Sequence, residues 1–324
     1  MGKCILMEQT GGPDVLQPAP LDLGAPGPGQ VRLRIVASGV NFIDVYHRTG
    51  LYPAAMPFVP GVEAAGVVED IGEGVSGVEI GSRVGYLGPG TYATHVNAPA
   101  DRLIPLPDGL SFEDAAALLL KGLTAWMLLF EVRRSEPGDR ALIWAPVGGV
   151  GSLLVPWARS LGMDVIAVTS TQEKADLALE LGANHVVLHS ADVAEEVATY
   201  TDGKGASVVF DSVGAASQSA SLAALSPRGW WITYGNASGP AKPVAPAELS
   251  QRGSLVMTRP SLFHFIAARP DLIRGANAVF GACAAGTLHV HIAGTGPLED
   301  AGAFQSGLEN RTSRGAFVLL PAGA

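Results

Sequence analysis

The 324-residue sequence predicts an α/β protein of two domains, one β-rich and one built on a doubly wound parallel sheet. Three observations predict it. The chain is longer than one hydrophobic core usually supports. Residues 31 to 106 carry short β-branched runs with an alternating face, separated by Gly/Pro clusters such as 24–29 and 72–74. From residue 111 onward, continuous apolar runs of strand length alternate with segments of helix length, the pattern of parallel strands covered on both faces. The composition agrees: 48% hydrophobic and 16% charged residues, with 41 Gly and 23 Pro but no period, exclude a disordered or collagen-like chain.

In chain order, residues 31–36 open the β-rich unit, and Ser111, followed three residues later by Asp114, is a helix start. The apolar stretch 115–130 is interrupted by Lys121 and Gly122. It is expected as two buried helical pieces with a functional junction, too short to span a bilayer. Strands are expected at 140–144, 164–168, 185–188, 207–210 and 230–234, with helices at 153–161 and 172–181, the latter closed by Gly182. A helix near 271–285, a strand at 289–292 and a final strand at 315–320 complete the chain, so the parallel-sheet unit is expected as an insert.

The formal charge of −9 and the absence of a Lys/Arg cluster argue against a nucleic-acid or anionic-membrane partner and favour a small organic one. Two cysteines, Cys4 and Cys283, cannot build a disulfide framework or a four-thiolate zinc site. With no secretory or myristoylation pattern in the first residues, a cytoplasmic location is expected.

The first chemistry-bearing motif follows the run ending at Trp144: Ala145-Pro146-Val147-Gly148-Gly149-Val150-Gly151, then an apolar helical run. Glycines at a strand-to-helix turn let the backbone approach a pyrophosphate, and the helix N-terminus supplies unpaired N–H groups. Gly148 and Gly151 fall on the second and third glycines of the dinucleotide fingerprint, while Pro146 occupies the first. The next strand ends at Val168-Thr169-Ser170-Thr171-Gln172-Glu173-Lys174. Hydroxyls stand where an NAD site carries an acid, and Lys174 follows one helical turn later, a pattern that favours a 2′-phosphate and hence NADPH. A solvated helix charge is the plainer role for Lys174.

The segment Gly39-Val40-Asn41-Phe42-Ile43-Asp44-Val45-Tyr46-His47-Arg48-Thr49-Gly50-Leu51-Tyr52-Pro53 resembles the zinc-independent quinone oxidoreductases of the medium-chain dehydrogenase/reductase family. So do Gly61-Val62-Glu63-Ala64-Ala65-Gly66, Lys121-Gly122-Leu123-Thr124, Phe210-Asp211-Ser212-Val213-Gly214, Tyr234-Gly235-Asn236 and Thr258-Arg259-Pro260-Ser261-Leu262, in matching order along essentially the whole chain. The resemblance implies a GroES-like, β-rich substrate domain from residues 1–122 and 268–324 and a Rossmann NADPH-binding domain from 123–267, with the active site in the cleft. It implies that Asn41, Tyr46 and Tyr52 line the nicotinamide side and that Thr124 contacts the nicotinamide region. Gly148, Gly149, Val150 and Gly151 would meet the pyrophosphate, Ser170 and Lys174 the 2′-phosphate, and Asn236 the nicotinamide ribose. His189, where the family usually has Tyr, would reach the adenosine end. Zinc-dependent relatives would carry Cys near position 41 and His before the glutamate, where this chain has Asn41 and Val62, so a metal-free mechanism is implied.

With no nucleophile constellation in the sequence, the chemistry falls to the cofactor, which would deliver hydride to a carbon conjugated to a carbonyl while Tyr52 or Tyr46 donates to the oxygen. An ordinary packed ring with a wet hydroxyl is the competing role for each tyrosine. His47, beside the tyrosines, could line the cleft or serve as a cap. A quinone or enone is the expected substrate; an enoyl thioester would want a basic entrance, and Arg48, Arg259 and Arg269 are too scattered to form one. A non-enzymatic NADPH-binding protein is the third reading. His289 and His291 alternate on the expected strand but lack a third ligand. The segment 254–258 resembles the family's sheet-edge strand, which implies a homodimer.

Overall fold

The structure, a computed structural model, describes residues 2–189, 192–310 and 315–321. Its elements run β1 (Gly2–Leu6), β2 (Gln17–Leu21), β3 (Gln30–Val40), α1 (Phe42–Thr49), β4 (Glu63–Ile71), β5 (Arg83–Leu87), β6 (His95–Pro99), β7 (Leu103–Pro105) and α2 (Phe112–Trp126). Next come β8 (Arg140–Trp144), α3 (Gly151–Ser160), β9 (Asp164–Thr169), α4 (Gln172–Glu180), β10 (His185–Leu188), α5 (Val193–Tyr200), β11 (Ala206–Asp211), α6 (Gln218–Ala223) and β12 (Leu225–Thr233). The chain ends through α7 (Pro246–Gln251), β13 (Val256–Thr258), α8 (Leu262–Phe265), α9 (Arg269–Ala284), β14 (Ile292–Gly296), α10 (Ala301–Glu309) and β15 (Ala316–Leu319). It divides into two compact units: Met1–Lys121 with Leu272–Ala276 and Val290–Ala324, and Gly122–Asp271 with Asn277–His289.

In the first unit the long strand β3 is the organiser. Its alternation buries Val31, Leu33 and Ile35, which pack with Val68, Val84, Tyr86, Val96 and Leu103. It pairs antiparallel with β4, β6 and β15, within a sheet ordered β14-β15-β3-β4-β5-β7. This is the GroES-like domain. In the second unit six parallel strands lie in the order β10-β9-β8-β11-β12-β13, the doubly wound 3-2-1-4-5-6 arrangement of a Rossmann domain. Its strands read as continuous apolar runs because both faces are covered: Leu142, Ile166, Val209 and Trp231 are buried in one core.

Strands β8 and β10 fall on the expected residues, and Ser111 caps α2 by accepting the Asp114 N–H at 2.9 Å. Three expectations are corrected. The stretch 115–130 is not two pieces: α2 runs without a break into a π-helical turn, Met127–Val132. Lys121 does not interrupt it because a buried partner, Glu63, balances its charge. The resulting 21 residues contain an 18-residue window of mean hydropathy 1.6, long and apolar enough to cross a membrane, and 72% of that window is buried inside the protein. His289 and His291 lie before β14, not on a strand, so the expected two-residue face does not form. Strand β12 starts at Leu225 rather than at 230, and its pairing with β11 shifts register where Arg228 adopts a left-handed φ of 62°.

Candidate active site

Ligands of doubly wound sheets bind outside the carboxyl ends of the strands, where the strand order reverses. Here that place is the junction of β8 and β11. The turn after β8 begins with Ala145 at φ 52°, left-handed although not glycine. Pro146, which follows it, cannot take that conformation, because its ring holds φ near −65°. The Gly148 N–H donates to Ala145 O at 3.0 Å, so it is spent within the turn. The donors that remain for a ligand come from residues 149–151, the first of the N–H groups that α3 leaves without intrahelical partners. Gly151 is required by packing: a Cβ there would run into Ala145 O and stand 2.8 Å from the Pro146 carbonyl.

Neighbouring strand ends carry the other expected contacts. Ser170 is exposed after β9, and Thr171 caps α4, its Oγ1 accepting the Lys174 N–H at 3.3 Å. That cap holds Lys174 in the first turn of α4. The His189 N–H donates to Thr169 O at 2.7 Å, and its ring meets Trp144 edge-on at 5.5 Å. The loops after β11 and β12 are tied together by Asp211, which is fully buried. Its carboxylate accepts from the Val213 and Gly214 N–H groups, the Ser217 and Ser221 hydroxyls and the Trp231 indole, all within 3.2 Å. Its backbone oxygen accepts the Tyr234 N–H at 2.8 Å. Asn236 follows; its amide donates to Gly235 O at 2.9 Å and accepts from Arg259 Nη2 at 3.1 Å. Thr124 is half-buried on α2. Backbone N–H groups, the Ser170 hydroxyl and Lys174, with no acid at 169–172, make a donor set that fits a phosphorylated dinucleotide.

In the first unit the residues of the tyrosine segment are carried by α1, an element unforeseen although its signals were present. Asn41 is the N-cap, Asp44 reaches back to the Asn41 N–H at 2.8 Å, and Gly50 closes the helix at φ 80°. Tyr46 is 8% exposed and Tyr52 half-buried; their rings lie 5.1 Å apart, edge to face. The Tyr52 N–H donates to Tyr46 O at 3.0 Å. His47 packs on Tyr52 and Phe58, and burial lowers its pKa. Arg48 is 1% exposed and paired with Glu309 at 2.6 Å, so it belongs to no basic entrance.

Beneath Asn41 lies a buried polar network. Glu63 accepts from Asn41 Nδ2 at 2.8 Å, from the Leu120 N–H at 2.6 Å and from Lys121 Nζ at 3.4 Å. Asp44 accepts from the Tyr92 hydroxyl at 2.9 Å. Burial pushes the Asp44 carboxyl up to about 7 and the Tyr92 phenol well above its ordinary value. Sequence reasoning named Asp44, Glu63, Lys121 and Asp211 only as parts of motifs and Tyr92 not at all, because buried pairing across distant segments has no local spacing.

A parallel 3-2-1-4-5-6 sheet with a glycine turn at its switch point, in one chain with a GroES-like unit, defines a nucleotide-dependent dehydrogenase or reductase. Residues 27–108 match the alcohol dehydrogenase GroES-like domain family and residues 149–280 the zinc-binding dehydrogenase family. The chain is 44% identical to a 2-haloacrylate reductase of a Burkholderia species, over 98% of each chain. It is 38% identical to quinone oxidoreductase 1 of Escherichia coli, over 99% of this chain and all of the other. The structure of Escherichia coli quinone oxidoreductase complexed with NADPH superposes with a TM-score of 0.96 at 38% identity, covering 98% of this chain and all of that one. The chain belongs to the quinone oxidoreductases of the medium-chain dehydrogenase/reductase family.

Proposed function

We propose that this protein transfers hydride from NADPH, without a metal, to an electron-poor carbon conjugated to a carbonyl, a quinone or a similar acceptor. The donor set at the ends of β8 and β9 carries the reading: Ser170 and Lys174, with no acid between 169 and 172, suit a 2′-phosphate that an NAD-type carboxylate would repel. Residues 149–151 and the start of α3 would hold the pyrophosphate, Asn236 and Thr124 the nicotinamide end, and His189 the adenosine end. NADPH supplies the hydride when bound. Asn41 and Val62 offer neither thiolate nor imidazole, so no zinc ligand set is formed where zinc-dependent relatives would carry one.

The half-buried Tyr52 is the donor to the substrate oxygen; Tyr46, packed beneath it, positions the ring. Tyr52→Phe is expected to lower kcat for a quinone more than it raises KM, and an unchanged kcat removes the residue from the mechanism. The similarity to a 2-haloacrylate reductase supports activity on other conjugated carbonyls. Following NADPH consumption with 1,4-benzoquinone, a simple enone, 2-chloroacrylate and crotonyl-CoA separates these substrates. NADPH binding with no turnover across the panel would replace the enzymatic reading with that of a nucleotide-binding regulator.

A cytoplasmic homodimer completes the proposal. Strand β13 forms an edge of the six-stranded sheet, and pairing with a second copy would cover its open backbone groups. Light scattering showing a monomer at micromolar concentration would exclude it.

A further inference from the structure

The polarity of the Asn41 amide goes beyond that reading while resting on it and on the placement of Asn41 at the nicotinamide side that the family resemblance implies. An amide carries two N–H donors and one acceptor oxygen. In Asn41 the donor end is committed: Nδ2 lies 2.8 Å from Glu63 Oε2 and 3.3 Å from Gly39 O, both acceptors. Its Oδ1 is on the side of the Asp44 N–H in the capping box of α1, and a carbonyl oxygen with two lone pairs can accept a second donor from a ligand.

This orientation is enforced from below. Glu63 is fully buried and Lys121 is 7% exposed. The Leu120 N–H at 2.6 Å holds one carboxylate oxygen, and the other is shared between Lys121 Nζ and the Asn41 amide. With the Leu120 N–H and Lys121 Nζ already donating to it, the carboxylate meets the amide as an acceptor. Turning the amide over would set Asn41 Oδ1 against a carboxylate oxygen and leave a buried repulsion in place of a charge-assisted hydrogen bond. Gly39 guards the arrangement, since a Cβ there would strike both Ala116 O and the Glu63 carboxylate.

We propose that the buried Glu63–Lys121 pair is a positioning device that makes Asn41 an obligate hydrogen-bond acceptor toward a donor at the nicotinamide end of the dinucleotide, either a ribose hydroxyl or the carboxamide N–H. Asn41 is then unable to donate to a substrate oxyanion, which leaves that task to Tyr52. Glu63 and Lys121 act on the ligand only through the amide.

Donor and acceptor can be exchanged across the Asn41–Glu63 contact. Calorimetric titration with NADPH would compare the intact protein with Glu63→Gln, Asn41→Asp and the double variant, with unfolding temperatures measured alongside. Glu63→Gln lets the side chain at 63 donate to Asn41 Oδ1, so the amide is no longer held, and binding is expected to weaken about tenfold. Asn41→Asp sets two carboxylates against one another and should weaken binding and folding together. The double variant keeps one carboxylate in the cluster, moved from position 63 to position 41, with one hydrogen bond between the two side chains and an acceptor facing outward. It should bind within about threefold of the intact protein. If Glu63→Gln does not fold, Asn41→Asp against the double variant supplies the same comparison. A folded double variant that binds no more tightly than either single one overturns the proposal. Asn41→Ala that leaves NADPH affinity unchanged overturns instead the placement of Asn41 on which it rests. Repeating the Asn41→Ala titration with the 3-acetylpyridine analogue, which lacks the carboxamide N–H, names the donor: a persisting loss assigns the ribose hydroxyl, a vanished loss the carboxamide.

Discussion

The nucleotide turn of the second unit and the polar network of the first prepare for a ligand by opposite means. The turn uses backbone: small residues, one strained alanine and helix N–H groups, with the exposed Ser170 at the next strand end. The network uses side chains taken out of water, the ion pair of Glu63 with Lys121 and the hydrogen bond from the neutral Tyr92 phenol to Asp44. Backbone donors need no desolvated counter-ion, so the turn accommodates Pro146 at the first position of the glycine fingerprint, with Ala145 before it left-handed. Buried charges tolerate no such substitution, because each holds the other in place.

The contrast predicts its own breaking points. Lys121→Met should be the most damaging, at about 3–5 kcal/mol of unfolding free energy, because it leaves Glu63 buried without a counter-charge. Adding Glu63→Gln should restore much of that loss in a denaturant titration, and a mild single-variant effect would mean that the pair is not buried as described. Next comes the pH dependence of Asp44. Its folded carboxyl titrates at about 7 against 3.8 in the unfolded chain. The folded state therefore binds the extra proton between these values, and this group's contribution is complete below 3.8 and lost as pH rises through 7. Stability should fall across that window by at most about 4 kcal/mol from this source. Glu63, Lys121 and Tyr92 surround Asp44, and Asp44→Asn should flatten that part of the profile in thermal unfolding.

The turn should respond less in stability and more in binding. Gly151→Ala is expected to cost about 1–3 kcal/mol, because its Cβ meets backbone that cannot swing aside, and NADPH titration should show lost affinity in whatever protein still folds. The smallest effect falls at Lys174: Lys174→Met should weaken NADPH by about tenfold while leaving NADH unchanged. Equal losses for both nucleotides would take Lys174 away from the 2′-phosphate.

Much of this molecule was legible before any coordinates. Apolar runs bounded by turn residues located β8 and β10 to the residue, since a strand buried on both faces can be nothing but apolar. Helix α4 was readable from its helix-length segment and the closing Gly182 for a similarly local reason. Helix α1 was missed amid β-like surroundings although Asn41, Asp44 and Gly50 spelled its caps. The strand proposed for His289 and His291 failed because two alternating residues cannot specify pairing without a neighbour to pair with.

By itself the sequence determined the alternation of strand and helix from β8 to β10, the glycine turn, the lack of cysteine and histidine where zinc-dependent relatives carry ligands, and the hydroxyl-and-lysine substitute for an acid after β9. These are local properties, written in periodicity and in residue type. Only the tertiary structure decided that Lys121 lies inside a continuous helix, that its partner is Glu63 from 58 positions away, and that this pair turns the amide of Asn41 in one direction. A buried charge has to find its partner wherever the fold brings one, and the free energy that selects the partner comes from desolvation, which no spacing along the chain records.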